Sequence, residues 1–124
     1  MIRRVVIVVL CVMAPAAAWQ AKSSQDSEKA AIKAAIQNHY VDGHCLSDDF
    51  KLLREGLAPT FVFHRFWDNE FSNSDIEDWF ARLKRNAGSR EAGVEANIEV
   101  LDVTGVAAVA KLELFKGGRL RFTD

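Results

Sequence analysis

The first apolar feature of the chain has no period. Val5 through Met13 are uniformly hydrophobic, behind the charged start Met1-Ile2-Arg3-Arg4 and ahead of Ala14-Pro15-Ala16-Ala17-Ala18. A polar, Ser-rich stretch from Lys22 to Asp26 follows, and a helical period sets in at Glu28. Ile32, Ile36 and Tyr40 then form one stripe, with Ala31, Ala35 and His39 beside it and Lys29, Lys33 and Gln37 facing away. The pattern predicts a helix capped by Ser24 or Ser27 and stopped at Gly43. Ser47 heads a second, short helix with Asp48 and Asp49 in its first turn, where the helix dipole favours negative charge. Phe50, Leu53 and Leu57 give that helix an apolar side, and Gly56 and Pro59 end it.

From Thr60 to Trp67 the period drops to two, among aromatic and β-branched residues. Phe61, Phe63, Arg65 and Trp67 point one way; Val62, His64 and Phe66 point the other. Asp68-Asn69 is a turn pair, so Glu70-Phe71 fold back briefly. Ser74-Asp75-Ile76-Glu77 has the spacing of a capping box and opens a helix that buries Ile76, Trp79, Phe80 and Leu83, lapsing at Asn86-Ala87-Gly88. Val94, Ala96, Ile98 and Val100 then alternate with polar residues until the phase slips at Leu101, the mark of a β-bulge. Thr104-Gly105 turns the chain into a strand over residues 106 to 115, and Gly117-Gly118 is a hairpin loop into a last strand from Arg119. On that strand Leu120 and Phe122 are expected on one face, with Arg119, Arg121 and Thr123 on the other. The order of two helices, strand, helix and antiparallel meander predicts an α+β domain.

Composition changes this picture in two ways. The charged start, short apolar middle and Ala16-x-Ala18 exit are those of a secretory signal, which implies an exported protein cut between Ala18 and Trp19. The apolar run falls short of the ~20 residues that span a bilayer, so no stable membrane anchor is expected after cleavage. Residues 19–27 would be a polar leader and residues 28–124 the domain. Cleavage removes Arg3, Arg4 and Cys11, leaving 14 basic against 17 acidic residues and Cys45 as the lone cysteine. An internal disulfide is then impossible, and Cys45, placed between helices, is expected to be dispensable for folding. The acidic balance and the lack of a basic stripe give no reason to expect nucleic acid.

Several segments carry a resemblance. They are Ile36…Tyr40-Val41-Asp42-Gly43, Ser74…Trp79, Ile98…Leu101-Asp102-Val103-Thr104-Gly105…Ala107-Ala108-Val109-Ala110-Lys111 and Phe122-Thr123-Asp124. In this order they resemble the nuclear-transport-factor-2-like superfamily, and within it the SnoaL-like or "putative lumazine-binding" branch. The resemblance implies a cystatin-like cone of N-terminal helices packed on a curved antiparallel sheet. Relatives follow Phe-Thr-Asp with further closing strands, so the cone is expected to be incomplete at its C-terminal side, with an open sheet edge and a homodimer as one way of covering it.

No phosphate loop, metal-ligand spacing or activated nucleophile stands out: His39 and His44 are five residues apart, and Gly117-Gly118 is a turn. No cofactor and no metal are expected. The resemblance implies instead an apolar pocket between the first helix and the concave sheet face, suited to a small apolar or aromatic ligand. Tyr40, Phe63, His64, Arg65, Trp67, Trp79 and Asp124 are its candidate lining. Were the domain a cofactor-independent isomerase or dehydratase, as some relatives are, His64 and Asp42 would handle the proton and Tyr40 would donate a hydrogen bond. A protein-interaction module using the sheet is the third reading. Arg65, on the Phe61/Phe63/Trp67 face, either reaches solvent or awaits an anionic ligand.

Overall fold

The computed structural model describes residues 8–11, 22–89 and 92–123 of the 124. The signal-peptide reading and the cut after Ala18 lie outside them, apart from the strand β1, Val8–Cys11. Helix α1 spans Lys22–Ala35, so the second half of the expected leader is helical. Nothing between Lys22 and Glu28 breaks a helix, and Ser27 donates its hydroxyl back to the Ser24 carbonyl at 2.8 Å instead of capping.

At Ile36 the coil widens into a π-helix, Ile36–Cys45. Its bonds reach five residues back: the Leu46 N–H donates to the Val41 carbonyl at 2.8 Å. The same spacing lets the Gln37 amide donate to Asp42 Oδ1 at 2.8 Å. Widening the turn brings Val41 into the core beside Ile36 and Tyr40. It also carries the helix past Gly43, which is therefore no stop signal. Gly43 is instead a contact point, since a Cβ there would lie 2.8 Å from the Leu53 amide nitrogen. Cys45 belongs to this helix rather than to a loop, and it packs partly buried against the core.

Helix α2, Phe50–Glu55, is capped by Asp49, whose carboxylate accepts the Leu52 N–H at 3.0 Å. Ser47 sits two residues further out, accepting from the Asp49 N–H and donating to the Asp42 carbonyl, which ties α2 to the π-helix. Strands β2, Val62–Trp67, and β3, Glu70–Asp75, form a two-stranded sheet of their own around Asp68 and Asn69, both at positive φ. Strand β3 is longer than its sequence suggests and runs straight into α3, Ile76–Arg85. The cap of α3 is Asp75, accepting from the Asp78 N–H at 2.8 Å; Ser74 stays in the strand, and Glu77 pairs with Arg54.

The second sheet holds β4, Val94–Thr104, β5, Ala107–Lys116, and β6, Arg119–Thr123, all antiparallel. Leu101 is the extra residue of a bulge between Val100 and Asp102, as its phase slip predicts. A second shift leaves Arg121 between Leu120, opposite Phe115, and Phe122, opposite Leu114. Phe115 and Leu114 are neighbours on opposite faces, so Leu120 and Phe122 part to opposite faces as well. The expected shared face does not form. Strands β6 and β1 line the same edge of β5, β6 along residues 113–116 and β1 along residues 107–110.

The core lies where the π-helix, α2, α3 and the inner face of β4 and β5 converge. Val41, Leu53, Trp79 and Phe80 are its most buried side chains, joined by Ile98 and Leu112 from the sheet. Burying a side chain of this size contributes about 1.5–3 kcal/mol before entropy is counted. The architecture is α+β, helices against antiparallel sheets, and the sheets do not close into a barrel. No described helix is long and apolar enough to cross a membrane.

Candidate functional site

Trp79 is the hub of an aromatic cluster built from three elements. Helix α3 supplies Trp79 and Phe80, the π-helix supplies Tyr40 and His44, and β2 with its lead-in supplies Phe63 and Phe61. Phe63 stacks on Trp79 with ring centroids 5.1 Å apart and planes within 7°. Tyr40 lies at 6.2 Å and 15°, nearly parallel to the same indole. His44 meets both Tyr40 and Trp79 edge-on at 5.3 Å. Phe61 tilts against Trp79 at 5.2 Å, and Phe80 is edge-on at 5.8 Å. Offset-stacked and edge-to-face pairs of this kind add about 0.5–1.5 kcal/mol each beyond buried area. With Trp79 only 2% exposed, the centre of the cluster is filled by its own rings.

Its accessible side is the face of β2 that carries Phe63, Arg65 and Trp67. Strand alternation puts these three together, and the pairing with β3 adds Ser74 opposite Phe63, Ser72 opposite Arg65 and Glu70 opposite Trp67. Trp67 is 45% exposed, and the Arg65 guanidinium lies over its ring at 5.2 Å. From α3, the Arg82 guanidinium lies over the Phe63 ring at 5.7 Å. Partial burial holds the Arg82 pKa below its ordinary value, and the positive charges of Arg65 and Arg85 push in the same direction.

The structure thus brings Tyr40, Phe63 and Trp79 together and places Arg65 and Trp67 on the strand face that continues from them. It does not bring His64 there. Because Phe63 turns toward Trp79, His64 turns to the opposite face of β2, exposed, stacked on Phe71 at 5.6 Å, with Nδ1 2.7 Å from Asn73 Oδ1. Asp42 lies two residues beyond Tyr40 on the π-helix with its carboxylate held by Gln37. His64 and Asp42 have separate surroundings. Asp124 lies outside the described residues. Among those residues, no group of three His, Cys, Asp or Glu side chains is arranged to hold a metal.

The sequence reading missed His44, Phe61 and Arg82 as members of this site. His44 stands four residues after Tyr40 and Arg82 three after Trp79, so helical spacing from either aromatic residue would have found them. Alternation aligns Phe61 with Phe63 but does not reveal that both meet Trp79.

No curated protein and no solved structure matches this chain. A family model does, over residues 27–124, and its description is "Putative lumazine-binding". That match covers α1 from residue 27 onward, the other helices, strands β2 to β6 and the aromatic cluster. The chain therefore belongs to the putative lumazine-binding family of the nuclear-transport-factor-2-like superfamily.

Proposed function

We propose that the chain is the precursor of an exported domain that binds a small, flat, apolar or aromatic ligand along the rim of the Trp79 cluster. The observation that carries this reading is the alignment of Phe63, Arg65 and Trp67 on one face of β2, continuous with the Tyr40–Trp79 stack. A flat ring system lies against Trp67 and the edge of Phe63, with the polar groups of Arg65, Ser72 and Ser74 fixing its orientation. Lumazine, the planar bicycle in the family's description, is the natural first probe. Binding without turnover is favoured over acid–base catalysis because His64 and Asp42 are engaged separately, by Asn73 and Gln37. Titration of the purified chain with lumazine should quench tryptophan fluorescence saturably, and Trp67→Ala should abolish the saturable part. Linear quenching, the same in both proteins, would overturn the reading.

Export with a cut after Ala18 belongs to the same proposal, supported by the charged start, apolar run and Ala16-x-Ala18 exit. N-terminal sequencing of the protein recovered from its cells should begin at Trp19; recovery of Met1 from the cytosol would refute it. Cleavage there would also remove β1 and uncover the β5 edge at Ala107–Ala110, which β6 does not reach. An uncovered edge supports homodimer formation. Sedimentation of residues 19–124 as a monomer at all concentrations would refute the dimer.

A further inference from the structure

We infer that Arg65 and Arg82, with Arg85 beside them, form an anion receptor, so that the ligand of this face is a flat aromatic acid whose carboxylate the guanidinium groups hold. The inference rests on the reading of the β2 face as the ligand site and names the chemical class that site selects.

Three observations carry it. First, the chain as a whole is slightly acidic, with 16 basic against 17 acidic residues, yet three arginines gather at the junction of β2 and α3. Second, among the described residues no carboxylate forms an ion pair with any of the three, although α3 forms one nearby through Glu77. Arg54 is the contrast. It takes Glu77 of α3 in a two-pronged pair at 2.8 and 3.2 Å while lying over Phe80 at 4.2 Å. Asp75, near the start of α3, is committed to its cap, and Glu70, across from Trp67, pairs with none of the arginines. Third, the two guanidinium groups are held in place by rings: Arg65 over Trp67 and Arg82 over Phe63. Gathering like charges without a counter-ion is unfavourable, and partial burial of Arg82 makes it more so. A bound anion reverses that term.

The form of the ligand follows from what surrounds the charges. Guanidinium groups match a carboxylate through paired N–H donors in one plane. Ser72 and Ser74 stand opposite Arg65 and Phe63 on the same face and offer hydroxyl donors to the same oxygens. Trp67, 45% exposed, and the edge of Phe63 flank Arg65 along the strand and offer apolar surface to a flat ring joined to the acid. A naked inorganic anion would leave those rings unused.

The test compares 2-naphthoate with the neutral 2-naphthalenemethanol by calorimetric titration at low salt. The acid should bind at least tenfold more tightly than the alcohol and lose affinity as salt is raised. Arg65→Gln should weaken the acid by about tenfold, and Arg65→Lys, which keeps the charge but loses the paired planar donors, should fall between that variant and the unaltered chain. Arg82→Gln should act likewise, with its melting temperature measured alongside because Arg82 also packs on Phe63. Lys51→Gln, on an exposed lysine of α2 whose side chain is 88% accessible, should leave the acid's affinity unchanged and so exclude an effect of net charge. Equal affinity for acid and alcohol would overturn the anion receptor and leave the ligand face standing. Failure of both compounds to bind would overturn the two together.

Discussion

Replacing Gly56 by alanine tests how closely α2 approaches the π-helix. A Cβ at Gly56 would lie 2.2 Å from His39 Cβ and 2.6 Å from its Cγ. These atoms sit at the root of the His39 side chain, so no rotation about χ1 moves the Cβ away. Ordinary carbon–carbon contact begins at about 3.5 Å, so the two segments must part by more than an ångström. The backbone at Gly56 has φ −90°, which any residue adopts, and the cost is therefore purely steric. Parting the segments would also strain the contact of His39 Nδ1 with the Leu52 carbonyl at 3.0 Å and loosen Leu53, which is fully buried. Overpacking of this kind costs about 1–3 kcal/mol. The lower entropy of an unfolded chain carrying alanine offsets about 0.4–1 kcal/mol of it. A net loss of about 1–2 kcal/mol should lower the melting temperature by roughly 4–16 °C, measured by circular dichroism. His39→Gly removes the clashing atoms, and in that background Gly56→Ala should be neutral or mildly stabilising. An unchanged or raised melting temperature for Gly56→Ala alone would refute the close approach.

Trp79→Ala should cost about 3–5 kcal/mol, because it deletes the ring on which Tyr40, Phe61, Phe63 and His44 converge; chemical denaturation reads the loss, and a cost below ~1 kcal/mol would mean the cluster is not packed as described. The Arg54 hydrogen bonds, followed by its charge, hold the Glu77 carboxyl below its ordinary value, so its contribution to stability is present above the unfolded pKa and lost as pH falls through the folded one. A carbon-detected NMR titration should show a depressed Glu77 midpoint that returns toward normal in Arg54→Met; no change between the two would break the assignment. Glu113, depressed by its bonds to Lys111 and Asn97, should lose its low midpoint in Lys111→Met. Cys45→Ser places a hydroxyl against the hydrophobic cluster and should cost about 1 kcal/mol, a modest fall in denaturation midpoint; no loss at all would return Cys45 to the loop its sequence first suggested.

Much of the fold was legible in the chain because it is written in local periods. Alternation along residues 61–67 put Phe63, Arg65 and Trp67 on one face, and the structure keeps that face; the slip at Leu101 announced the bulge that bends β4. The positive-φ turns at Asp68-Asn69 and Gly117-Gly118 followed from side chains that tolerate the left-handed region. Caps were less legible. Ser47 and Ser74 each stand within two residues of an aspartate that serves as well, and which one accepts the helix amide depends on where the incoming chain is held.

Other features depended on partners distant in sequence, and those only the tertiary structure decided. The π-helix gathers Ile36, Tyr40, Val41 and Cys45 into a narrower arc toward the core than α-helical spacing would, while Gly43 and His39 meet α2. The split of Leu120 from Phe122 follows the pairing of β6 with β5, since a bulge costs little locally and its place is set by the neighbouring strand. The candidate site belongs to the same class. Nothing in the local period of β2 says that Arg82 will lie over Phe63 while His64 faces away from Trp79; that arrangement arises when α3, anchored by the burial of Trp79 and Phe80, lays its arginines along the strand. The sequence by itself determined which side chains share a face. The tertiary structure decided which faces meet, because burial in one common core is a property of the whole chain and not of any segment.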